Sequence, residues 1–109
     1  MAKFLIKARY TSPGGIQGLI DDGGTVRTKA INDLITGAGA TMEAHYFAFG
    51  DIDAFTVVDA PDNATVAAIS LAVASTGLAT LEVVTLLTPA EIDSAARKSP
   101  RYDAPGPNA

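Results

Sequence analysis

The chain has no cysteine and no tryptophan, one histidine, and only seven other aromatic residues, four Phe and three Tyr, among its 109 residues. The missing thiols exclude disulfides, thiolate metal sites and a cysteine nucleophile. A single imidazole excludes a multi-histidine metal cage. No apolar run approaches the length of a membrane span. The N-terminus Met1-Ala2-Lys3-Phe4-Leu5-Ile6-Lys7 opens directly on a strand pattern, without the apolar core and cleavage site of a secretory leader. The expectation is a cytoplasmic protein with no membrane partner. Net charge is −4 with eight basic residues. Those residues are scattered, so nucleic acid is not an expected partner.

What is abundant is apolar. Hydrophobic residues make up 48% of the chain, and mean hydropathy is +0.23. A domain this small has much surface and little interior. The surplus points to subunit contacts, hence to self-association as a homodimer or larger homo-oligomer.

Lys3 to Tyr10 reads as a strand ended by Thr11-Ser12-Pro13-Gly14-Gly15. Ile16, Leu19, Ile20, Ile31, Leu34 and Ile35 then recur at helical spacing. Asp22-Gly23-Gly24-Thr25 interrupts them, which predicts a short helix, a break and a longer helix. The same glycines lack a Gly-Lys-Ser/Thr sequel and follow two aspartates, so they do not form a phosphate loop. Met42 to Phe49 and Ile52 to Asp59 flank Gly50-Asp51, the signal of a tight hairpin with Gly supplying a positive φ. Asp62 is placed to cap a helix to about Ser75. Thr80 to Leu87 reads as a fourth strand. Thr88-Pro89-Ala90-Glu91 then forms a capping box that launches a last helix to about Lys98.

The order βαββαβ plus a terminal helix predicts an α+β, ferredoxin-like fold, with a four-stranded antiparallel sheet and both main helices on one face. Residues 1–98 form the domain. Residues 99–109, rich in proline, form an extended or disordered tail. A two-residue hairpin turn would pair Phe49 with Ile52, Phe47 with Ala54, His45 with Thr56 and Glu43 with Val58. One face would then carry Glu43, His45, Phe47 and Phe49, and the opposite face Met42, Ala44 and Tyr46. Both are substantially apolar, so both are expected to be covered, one by helices and one by a partner subunit. The His45 face, with more polar residues at mid-strand, is assigned to the open side.

Three segments together are similar to the GYD domain family: Met1-Ala2-Lys3-Phe4-Leu5-Ile6, Tyr46-Phe47-Ala48-Phe49-Gly50-Asp51-Ile52-Asp53 and Leu86-Leu87-Thr88-Pro89-Ala90-Glu91-Ile92. The resemblance covers about residues 3–99. It implies a dimeric α/β barrel, in which the open sheet face is buried against a second copy. The family's aromatic turn position holds Ile52 here, so no tyrosine hydroxyl is available there, whereas Gly50 and Asp53 are kept. Asp53 is read as bonding the turn backbone. Other members of this fold group bind haem or run cofactor-independent chemistry. The resemblance therefore leaves two cofactor outcomes, none or haem held by one histidine.

His45 is the natural acid/base candidate near neutral pH. The competing reading is a half-buried histidine bonded to Thr56 or packed at a dimer seam. Glu43, two residues away, is a candidate to tune the imidazole. Lys7 and Arg9 are candidates to hold a carboxylate or an enolate oxygen, with solvent-facing strand ends as the alternative. Phe47 and Phe49 would wall a pocket for a small apolar or aromatic ligand, with Thr56 beside them. Tyr10 and Tyr46 carry hydroxyls but read first as packing. A small-molecule-binding or assembly module thus ranks ahead of a cofactor-independent monooxygenase or isomerase.

Overall fold

A computed structural model describes residues 1–106. The end of the proline-rich tail, residues 107–109, lies outside the described residues. The elements are β1 (Ala2–Tyr10), α1 (Pro13–Gly37), β2 (Thr41–Phe47), β3 (Ala54–Ala60), α2 (Asn63–Ala74), β4 (Ala79–Leu86) and α3 (Pro89–Lys98). The four strands form one antiparallel sheet in the order β2-β3-β1-β4. This is the ferredoxin-like α+β arrangement.

Local chemistry sets the helix ends. Pro13 occupies the first turn of α1, where its missing N–H costs nothing. The break expected from Gly23-Gly24 is present: Gly23 has φ 78° and ψ 168°, a non-helical conformation that divides α1 in two. Asp62 caps α2 by accepting from the Thr65 N–H at 2.8 Å. Thr88 and Glu91 exchange side-chain and backbone hydrogen bonds at the start of α3.

The core forms where α1 and α2 cover one sheet face. Phe4 and Ile6 from β1, Val58 and Ala60 from β3, Ile35 from α1, and Val66 and Ile69 from α2 are all buried there. Removing a side chain such as Val58 or Ile35 from water contributes about 1.5–3 kcal/mol. Strand register settles which residues share this face. Phe4 pairs with Val58, Ile6 with Thr56 and Ala8 with Ala54. His45 pairs with Thr56 and Phe47 with Ala54, as the hairpin reading expects.

The structure corrects that reading in three places. The turn is not a two-residue one: both strands stop short of it, and Ala48 N–H donates to the Asp53 carbonyl at 2.9 Å to close a six-residue loop. The ladder also shifts between Met42 and Ala44, so Met42, not Glu43, stands opposite Val58. Glu43 is the extra residue of a bulge. Finally, His45 lies on the helix-covered face and not the open one. The deciding signal is β1. Its Lys3, Lys7 and Arg9 share one parity and Phe4, Ile6 and Ala8 the other. Three cations are not buried under helices.

The open face carries Leu5, Phe55, Val57 and Val84 at its centre and Tyr46 beside them. Lys3 bridges Glu43 at 2.6 Å and Asp59 at 2.9 Å, and Lys7 meets Glu82 at 3.3 Å. Beyond the sheet, α3 buries no residue. No helix among the described residues is long and apolar enough to cross a membrane.

Candidate functional site

The two long helices diverge. α1 packs mainly toward β2 and α2 toward β4, at opposite sides of the sheet. The gap between them is a cavity of about 320 Å³, floored by β1 and β3. Small residues keep it open: Ala8 and Ala54 on the floor, Gly18 and Ala30 on α1, Ala72 on α2. Larger aliphatic side chains, among them Ile31, Leu34, Ile69 and Val73, form the walls. The volume lies at the low end for small-molecule sites, and the apolar lining is typical of them.

A few polar groups reach this space: Tyr10, Arg27, His45, Thr56 and Thr76. His45 projects from β2 on the face it shares with Thr56 and Ile6, the face the helices cover. Its Nδ1 lies 2.8 Å from the Thr56 hydroxyl, the partner anticipated from the sequence. Its Nε2 is buried and has no hydrogen-bond partner among the described residues. A bonded Nδ1 fixes the ring and leaves Nε2 for something else. Burial holds the imidazole pKa below its ordinary value, so His45 is neutral at physiological pH. Phe47 meets it edge-on, with ring centroids 4.9 Å apart, and also lies against Gly24 at the break in α1.

Tyr10 ends β1 inside the cavity. Burial pushes its phenol pKa up, with Arg27 pulling the other way and Asp53 adding to the rise. Tyr10 therefore remains a neutral hydroxyl donor. Asp53 accepts from the Tyr10 backbone N–H at 2.8 Å, and its own N–H donates to the Ala8 carbonyl. The acid expected to brace the turn backbone thus fastens the loop to β1. Arg27 is half-exposed and touches Asp22 at 3.5 Å.

The residues singled out from the sequence therefore separate. His45 and Thr56 meet at the cavity, and Phe47 covers the histidine. Phe49 is fully exposed at the loop tip. Glu43 turns to Lys3 on the open face and does not approach the imidazole. Lys7 pairs with Glu82, and Arg9 donates to the Asp51 carbonyl at 2.7 Å. Neither cation shares a face with His45. Arg27 escaped notice although a signal existed: it stands four and seven residues before Ile31 and Leu34, a cation on the apolar stripe of α1. No cluster of metal-ligating side chains occurs among the described residues.

Fold and site together define a ferredoxin-like α+β protein with a ligand-sized cavity between sheet and helices. The chain belongs to the GYD domain family, whose model matches residues 4–96. No curated protein and no solved structure matches the chain.

Proposed function

We propose that the chain binds a small, largely apolar molecule in the cavity between α1, α2 and the sheet, as a homo-oligomer assembled through the open sheet face. One observation carries the reading: His45, whose Nε2 is buried and unpartnered, is among the residues lining an apolar cavity of ligand size. Native proteins rarely leave such a group unsatisfied, and a polar atom of a ligand would complete it. The apolar centre of the other face, Leu5, Phe55, Val57 and Val84, supports burial against a second copy.

The same nitrogen supports a second reading, in which His45 removes and returns a proton on the bound molecule. A neutral imidazole in an apolar pocket is a competent base, and Tyr10 supplies a donor for a developing oxyanion. This is isomerase chemistry, or the first step of a cofactor-independent oxygenation. Haem fits less well. The free Nε2 has the character of an axial ligand, but the cavity is sized for a compact molecule and not for a tetrapyrrole.

Native mass spectrometry of protein purified from its own cells tests the proposal. An oligomer carrying extra small-molecule mass, lost in a Leu34→Trp variant that fills the cavity, is the expected result. A bare monomer would overturn both parts. Turnover of the recovered molecule, abolished by His45→Ala while assembly persists, would establish the catalytic reading.

A further inference from the structure

We infer that the ligand of this cavity is a compact carboxylate, with an aromatic or branched aliphatic body among the aliphatic walls and its anionic group at Arg27. This rests on the ligand-binding reading above and specifies its chemistry. The charge inventory is one-sided. The chain carries a net charge of −4, yet none of the described residues lining the cavity is acidic. The single full charge there is the Arg27 guanidinium, since His45 and Tyr10 are neutral at physiological pH.

Arg27 is also under-used. A guanidinium offers five N–H donors in a planar fork. Its ion pair with Asp22 is one contact at 3.5 Å, too long for a strong charge-assisted bond. The fork matches a carboxylate in two parallel hydrogen bonds, and partial burial strengthens that pairing over its value in water. Tyr10 lines the same space, and its hydroxyl is a second donor available to the same anion.

The walls argue against other ligand classes. A cation would meet Arg27 with no acidic side chain among the described lining residues. A phosphate or sulfate needs more donors than one guanidinium and a phenol, and gains nothing from Ile31, Leu34, Ile69 and Val73. A fully apolar molecule would leave Nε2 of His45 desolvated and unbonded. A carboxylate with a ring or branched chain satisfies the cation and the walls together, and one further polar substituent reaches His45.

The test uses the full chain with three probes: benzoate, the isosteric neutral benzamide, and inorganic sulfate. Binding is followed by calorimetry and by NMR shifts of the His45 ring protons. Benzoate is expected to bind at least tenfold tighter than benzamide, with sulfate weaker than either. Arg27→Gln should reduce benzoate affinity about tenfold and leave benzamide unchanged, and Arg27→Lys should restore part of the loss. The wild-type comparison stands even if a variant folds poorly. Equal affinities for benzoate and benzamide, both shifting His45, would overturn the carboxylate assignment and leave the cavity reading intact. Tighter binding of sulfate than of benzoate would overturn it as a generic anion site. Failure of all three probes to shift His45 would remove both readings.

Discussion

His45 and Gly15 show how much single positions hold here. The native state keeps the imidazole neutral by burial, so its folded pKa lies below the unfolded value near 6.5. Above that pH neither state is charged, and the histidine imposes no penalty. As pH falls through it, the unfolded chain takes up a proton that the native state resists, and stability declines. Urea unfolding of wild type and His45→Gln at pH 7.5 and pH 5.5 should show the wild type losing more over the interval. An equal loss would mean that the ring is not shielded. Gly15 is buried where α1 starts. A Cβ there would stand 2.7 Å from Tyr10 Cδ1 and 2.8 Å from the Leu78 carbonyl oxygen. Gly15→Ala should destabilise by about 1–3 kcal/mol through overpacking, read as a lowered thermal midpoint.

At the scale of elements, the break in α1 governs where Arg27 stands. Gly23 occupies a region of backbone space that other residues enter at a cost of about 1–3 kcal/mol. Nothing crowds a Cβ there, so the penalty of Gly23→Ala is conformational and not steric. Thermal unfolding should report a loss in that range. Benzoate affinity should fall as well, since relief of the strain by straightening α1 would swing Arg27. This break was legible in the sequence because two adjacent glycines inside a helical stripe have one ready meaning. So were the caps at Asp62 and Thr88, which are decided within four residues. The hairpin was not. Its loop is shaped by β1, through Arg9 to the Asp51 carbonyl and Asp53 to the Tyr10 and Ala8 backbone. Turn propensities contain nothing of a third strand. The bulged Glu43 likewise meets Lys3, forty residues earlier in sequence, a contact that local propensities do not contain. The side of the sheet that His45 occupies was recoverable, but only by reading the alternation of β1 jointly with that of β3.

Taken as a whole, the molecule is long for its mass. Its radius of gyration is 17.7 Å. A compact chain of this length measures about 13 Å. The excess comes with α3, whose residues are all exposed, and with the segment after it. The open sheet face adds apolar area that a single copy leaves in water. Val57 lies near the centre of that face, paired with Leu5. If copies assemble through this face as proposed, Val57→Lys should leave a single chain of 11.2 kDa in light scattering, with the far-UV spectrum unchanged. A variant that assembles like wild type would move the interface elsewhere. Only half of this was legible beforehand. Composition announced the apolar surplus, but its placement depends on which strand face the helices take.

The bulge at Glu43 has a consequence for how sheets join. β2 and β4 are the two borders of the sheet. On β2 the ladder is interrupted at Glu43, and the extra residue carries a charge, two devices that spoil a template for strand addition. β4 runs unbroken against β1 from Ala79 to Leu86, with Glu82 its sole charge. The sheet thus has one blunted border and one bare one. Joining two bare borders consumes both and leaves only blunted ones outside. Were two copies to join border to border along β4, each would present only its interrupted β2 border outward, and that border is a poor template for adding another strand.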